Sequence, residues 1–191
     1  PWEVPHFAPV ELTDPLAWST GAVSPVVRRP VGRLQSGRLV MGIGDAVVLN
    51  DPIAGQGSNC ASKGVHLLTA RIAEREGPFD AAWMEAVFAE HWERDARWIT
   101  AFSNLFLEPI GPAAQEILLA ASRVPALADE FFEAFNNPQD LWPWIEDPKG
   151  ARRHIAERTG RPWIATAASA RFAVLRGKLA QALRRGAPAV G

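Results

Sequence analysis

The sequence predicts a mainly α-helical chain with one small β element near its start. Only residues 31–43 pair two short apolar runs across a turn dipeptide, as a β-hairpin does. Nothing strand-like recurs after Gly77, and apolar residues between Asp80 and Arg185 return at helical spacing. At 191 residues the chain has the length of one domain, or one and a fraction.

The first residue is Pro1, not Met, and prolines at 1, 5, 9, 15, 25 and 30 forbid a long helix there. That stretch reads as extended segments and turns, the inside of a domain whose beginning is missing. Val31–Leu34 and Arg38–Met41 then flank Gln35-Ser36-Gly37, a hairpin whose second strand runs to about Ile43 and ends at Gly44-Asp45. A lone hairpin has too few strands for a stable sheet, so it requires partners that the sequence does not obviously supply. Ala46–Leu49 leads into a loop at Asn50–Gly57, and Ser58 or Asn59 can cap a helix reaching about Arg75.

Asp80 to about Leu107 is predicted helical from Trp83, Met84, Val87, Phe88, Trp92, Ile99, Phe102 and Phe106. Gly111-Pro112 breaks it, and Pro112 suits the first turn of a helix over Ala113–Arg123. Pro125–Phe135 is the next, ended by Asn136-Asn137-Pro138. Pro143 and Pro148 punctuate a looser stretch, in which Trp142-Pro143-Trp144-Ile145 reads as loop packing. Lys149–Arg158 and Ser169–Arg185 are the last helical patterns, before a frayed tail at Gly186–Gly191.

Composition excludes several classes. A formal charge of −1 is not that of a chain built to coat nucleic acid, and one cysteine rules out an internal disulfide framework and multi-cysteine metal sites. No apolar stretch has the length of a membrane span, so no membrane role and a cytoplasmic location are expected. His6, His66, His91 and His154 lack the repeated Glu-x-x-His unit of a di-iron bundle, so no metal site is predicted. No Gly-x-Ser-x-Gly elbow or Ser-x-x-Lys unit surrounds Ser58 and Ser62, which leaves hydrolase chemistry without a handle.

The informative stretch is 42–59, where strand, Gly-Asp, loop, Gly-x-Gly and helix start follow in order. Asp45 can accept a hydrogen bond from a ligand hydroxyl, or serve as a turn residue after the strand. Pro52 stiffens the loop, and Gly55 and Gly57 permit close approach or positive φ. The helix that follows aims its free N–H groups at whatever the glycines admit. Asn50 and Asp51 can be turn formers or more. Cys60 would lie on the first helical turn, where a thiolate is favoured electrostatically, but with no histidine placed beside it by sequence it reads as a small buried hydrophobe.

Gly44-Asp45 followed by Asp51-Pro52-x-x-Gly55-Gln56-Gly57-x-Asn59 resembles the second flavin motif of the p-hydroxybenzoate-hydroxylase-type FAD monooxygenases. The fuller run from Pro25-Val26-Val27-Arg28 is more similar to the styrene monooxygenase family, over about residues 25–75. The resemblance implies FAD as cofactor, with Gly44 and Asp45 at the ribityl chain. Pro52, Gly55, Gln56, Gly57, Ser58 and Asn59 would surround the pyrimidine edge of the isoalloxazine. It implies a two-component oxygenase supplied with reduced FAD by a separate NAD(P)H-dependent flavin reductase. Reduced FAD and O2 would form a C4a-hydroperoxide that gives one oxygen atom to a small apolar or aromatic substrate, by epoxidation or sulfoxidation. No side chain is nominated as catalytic, and a homodimer is left open.

The family's nucleotide-binding βαβ unit is absent from the sequence. Gly42-x-Gly44-x-x-Val47 and Gly55-x-Gly57-x-x-Cys60 each lack the third small residue. The expectation is therefore a C-terminal fragment of an α/β FAD-binding flavoprotein. Residues 1–30 would end its substrate domain, 31–76 would carry the FAD loop, and 77–191 would form a helical region. A single-component hydroxylase, a flavin halogenase, or a non-catalytic helical module keeping a relic flavin loop are the alternatives. The aromatics at 88, 92, 98, 102 and 106 are expected to pack the core, and the basic last helix to dock through an amphipathic face.

Overall fold

The computed structural model describes Asp14 and residues 23–186. The segment assigned to the end of a substrate domain lies outside the described residues, apart from Asp14 and 23–30, and so does the tail after Gly186. What is described is mainly helical, with four short strands ahead of eight α-helices. Among these residues no helix is long and apolar enough to cross a membrane.

Strands β2 (Val31–Arg33) and β3 (Leu39–Met41) form the expected hairpin, in the register Val31↔Met41 and Arg33↔Leu39. Gly37 supplies the positive φ, 81°, that closes it. The second strand stops at Met41, short of Ile43: the Gly42 N–H still donates in register to the Pro30 carbonyl at 2.7 Å, but Pro30 has no N–H to return, and the ladder ends there. A second antiparallel pair joins β1 (Val26–Val27) to β4 (Val48–Leu49), with Val26 opposite Leu49. Nothing local announces that pairing. Val48 is β-branched and buried, but its partner strand lies more than a hairpin's reach away.

Helix α1 runs Gly57–Ala73. Capping by Ser58 or Asn59 is corrected: the helix starts earlier, and its N-cap is Gln56, whose side chain makes no capping bond. Gly55 turns the chain left-handed, so Gln56 already has helical geometry. Asp80 accepts from the Trp83 N–H at 2.8 Å and starts α2 (Ala81–His91). A π-helical turn, Trp92–Ala96, joins α2 to α3 (Arg97–Asn104), so the predicted single helix contains one wide turn.

Proline opens α4 (Pro112–Ala121), α5 (Pro125–Glu133) and α7 (Pro148–Thr159), where a missing N–H is harmless. Trp142–Ile145 forms the short helix α6 rather than a loop, with Trp144 and Ile145 buried. The last helix, α8 (Trp163–Gly186), begins six residues before the predicted Ser169. Pro162 marks its start, and the good helix formers after Trp163 extend it.

Two apolar cores meet at α3. Ile99 joins Val47, Val48, Cys60 and Ala96, with Phe88 and Trp92 against them. Phe102 joins Ile117, Leu127, Leu141, Trp144 and Ile155 in the larger helical core. Phe102 meets Phe135 and Phe106 edge-on, at centroid distances of 4.9 and 5.3 Å. The aromatic series therefore packs core, as its spacing predicts, except for Trp98, which is in neither cluster and meets Trp142 on the edge of the larger one. Helix α8 docks on α4 and α7 through buried Thr166 and Ala170, while Phe172 and Leu175 are exposed.

Candidate cofactor-binding loop

Residues 44–59 form a turn, a β-strand, a second turn and a helix start folded on one another. Asp45 does not end a strand as predicted. It sits in a 3-10 turn, Gly44–Ala46, closed by the Val47 N–H to the Gly44 carbonyl at 3.0 Å. Gly44 has φ +54°, and a Cβ on it would lie 3.3 Å from the Ala61 methyl, so the turn packs tightly on α1. The Asp45 backbone oxygen accepts from Arg28 Nη1 at 3.1 Å. Its exposed carboxylate lies over the start of α1: Oδ1 is 3.7 Å from where a Gly57 Cβ would stand.

After β4, Asn50 and Asp51 both prove to be anchors. Asp51 accepts from the Ile53 N–H at 2.9 Å and caps the second 3-10 turn, Pro52–Ala54. Asn50 is buried, and its Oδ1 accepts from the Thr100 hydroxyl at 2.9 Å, fixing the loop to α3. Gly55 follows with φ +64°, exposed, and with nothing within 4 Å of the position a Cβ would take. The space over Gly55 is open.

Gln56 turns the other way. It is buried, and its Oε1 accepts from Asn59 Nδ2 at 3.2 Å. That amide also donates to the Phe135 carbonyl at 3.3 Å. Ser58 is exposed beside them. The first N–H groups of α1 have no intrahelical acceptor and no side chain caps them, so Gly57, Ser58 and Asn59 present free donors next to the Gly55 opening. Such a terminus favours a nearby anion by about 0.3–1 kcal/mol when exposed and up to about 2 kcal/mol when partly buried.

Sequence reasoning missed a polar group behind this loop. Cys60 Sγ lies 3.8 Å from His91 Nε2, and His91 Nδ1 lies 3.8 Å from Asp95 Oδ2 in the π-turn. Asp95 is buried, 2.9 Å from Arg94 Nε and 3.5 Å from Lys63 Nζ. The order Cys, His, Asp does not make an activated thiol. Burial, and then the Asp95 charge, push the Cys60 thiol up to about 11, against a smaller opposing pull from the Asn50 amide. Burial also lowers the His91 imidazole, outweighing Asp95. Both groups are neutral near pH 7, and Cys60 is the small buried residue that its sequence context suggested. A cavity of about 30 Å3, lined among others by Gly42, Gly44, Cys60 and His91, separates the hairpin from α1 and α2. The only sequence signal for this cluster was a charged residue, Asp95, inside an otherwise apolar helical period.

No protein-family model matches the chain. Over 137 residues, 68% of the chain, it is 30% identical to styrene monooxygenase StyA from a Pseudomonas species. It is equally 30% identical, over the same length, to styrene monooxygenase StyA from Pseudomonas fluorescens.

The chain is similar to part of a styrene monooxygenase.

The match spans 31% of each styrene monooxygenase, so the chain corresponds to about a third of either relative. That agrees with the resemblance read from Gly44-Asp45 and the Asp51–Asn59 motif.

Proposed function

We propose that this chain is one portion of a two-component, FAD-dependent monooxygenase, and that residues 44–59 hold the flavin. The observation that carries the reading is the open, left-handed Gly55 beside three uncapped N–H groups of α1. These residues fit a flat, electron-rich edge better than they fit a side chain. Gly55 admits it without a Cβ, and the free donors face it. Similarity to styrene monooxygenases supports the same reaction class.

In this reading, Asp45 accepts a hydrogen bond from a ribityl hydroxyl, in company with Gly44. The loop from Pro52 to Gly55 and the donors of Gly57, Ser58 and Asn59 lie at the pyrimidine edge. Gln56 contributes its backbone, since its side chain is turned inward. A preorganised helix N-terminus stabilises negative charge where it develops on reduction, without reorganisation at that moment. When bound, the flavin supplies activation of O2 and transfer of one oxygen atom to a small apolar or aromatic substrate. The chain's own residues bind, orient and exclude water. The hydride source is a separate NAD(P)H-dependent flavin reductase, and the location is cytoplasmic.

The test is an equilibrium FAD titration of the full-length oxygenase that contains this chain, with and without Asp45→Ala. Affinity is expected to fall by about tenfold, the loss of one charge-assisted hydrogen bond. Unchanged affinity would remove Asp45 from the site.

A further inference from the structure

Helices α4, α7 and α8 meet at a cleft of about 370 Å3 whose lining includes Arg123, Arg158, Arg161, Thr166 and Ser169. No carboxylate lines it. Arg158 is engaged outside the cleft, its Nε 2.5 Å from Glu130 Oε1. Among the described residues, Arg123 and Arg161 make no ion pair. Both are held by their backbones. The Arg123 N–H donates to the Ala120 carbonyl at 2.9 Å, and the Arg161 N–H lies 3.3 Å from the Thr159 hydroxyl, across the left-handed Gly160.

Cations at helix C-termini need no ligand, and that accounts for Arg123 after α4 and Arg158 at the end of α7. Arg161 stands two residues past the end of α7, as Arg123 does past α4, so the same placement applies to it. This residue precedes α8 by one proline, at the positive end of a long helix with no acid in its first turn. The two helix ends act on its charge in opposite senses, and no carboxylate lines the cleft beside it. Thr166, on the first turns of α8, is 8% exposed, and its hydroxyl has no hydrogen-bond partner among the described residues. A neighbouring depression shares Arg123 and Ser169 and adds Arg176 and the exposed ring of Phe172.

We infer that this junction binds the phosphate group of a small phosphate ester. Arg123 and Arg161 pair with the phosphate, the Thr166 and Ser169 hydroxyls donate to it, and the α8 terminus completes the charge balance. Phe172 gives the organic part a flat apolar platform. The cleft is of small-ligand size. The inference stands apart from the flavin reading, since none of its residues belongs to 44–59.

Calorimetric titration of the 191-residue chain, at constant ionic strength set with sodium chloride, tests it with inorganic pyrophosphate and with adenosine monophosphate. Both are expected to bind saturably at one site. Arg123→Gln, Arg161→Gln and Thr166→Val should each weaken binding by about tenfold, while Arg153→Gln outside the cleft should leave it unchanged. Thr166→Val keeps shape and charge, so its effect does not reduce to misfolding, which circular dichroism checks for each variant. Phe172→Ala should weaken adenosine monophosphate and spare pyrophosphate. Absence of saturable binding, equal binding by the arginine variants, or retention on anionic-lipid vesicles without binding of the free ester would each overturn the proposal. So would binding of pyrophosphate alone.

Discussion

The side-chain amide of Asn59 donates to the backbone oxygen of Phe135 at 3.3 Å, joining two residues 76 positions apart. One turn further along α1, Lys63 Nζ reaches Asn137 Oδ1 at 3.3 Å. The start of α1 is therefore seated on the end of α5, and the candidate loop takes its position from the helical region. Asn59 carries two roles: its backbone N–H is a free donor, while its side chain is a strut.

Asn59→Ala removes the strut and leaves the Phe135 carbonyl without its side-chain donor. Chemical denaturation of the chain should show a loss of about 1 kcal/mol. In the full-length oxygenase the same variant should weaken FAD binding without touching the cofactor through its side chain. Asn59→Asp, which keeps the shape but cannot donate, should behave like the alanine variant. Rescue by aspartate would contradict the strut.

Glycines 42 and 57 should respond oppositely to alanine. A Cβ on Gly42 would stand 2.5 Å from Val47 Cγ2, inside the buried packing of the β4 segment. Gly42→Ala should destabilise the fold by about 1–3 kcal/mol. A Cβ on Gly57 meets only Asp45 Oδ1, at an ordinary 3.7 Å. Gly57→Ala should leave the melting temperature unchanged or higher, since alanine favours helix, yet weaken FAD binding in the full-length oxygenase. A drop in melting temperature of the same size as for Gly42→Ala would refute the asymmetry.

Cys60 should make stability depend on alkaline pH. Its thiol rises from an ordinary 9.0 to about 11 in the fold, so between these values the folded chain holds a proton that the unfolded chain has lost. The stabilisation is fully present below pH 9 and is lost as pH rises towards 11. Denaturation midpoints measured across that range should fall, and Cys60→Ala should flatten the decline. At pH 7 the thiol should react slowly with disulfide reagents unless the chain is unfolded. Rapid labelling of the folded chain would contradict the burial argument.

What could be read in advance divides by range. The hairpin at Gly37, the helices opened by Pro112, Pro125 and Pro148, and the glycine at the loop's left-handed turn are set by residues next to them in the chain. The β1–β4 pairing and the Asn59–Phe135 bond join distant segments, and no local period encodes them. The motif includes Gln56 without saying which of its groups faces the loop; after the left-handed Gly55 its side chain is buried and accepts from Asn59, which no local pattern encodes. Asp45 was read as ending a strand. Pro30 has no N–H to return the Gly42 bond, so the ladder ends there and the turn takes over. His91 and Asp95 carry no motif, and only the packing of α1 against α2 and the π-turn brings them to Cys60.

Amide hydrogen exchange of the full-length oxygenase, followed peptide by peptide with and without FAD, tests the central claim most directly. If residues 52–59 cradle the flavin, the uncapped N–H groups of Gly57, Ser58 and Asn59 exchange quickly without it and slow markedly when it binds. FAD binding that protects other segments while 52–59 exchange at their original rate would contradict the account.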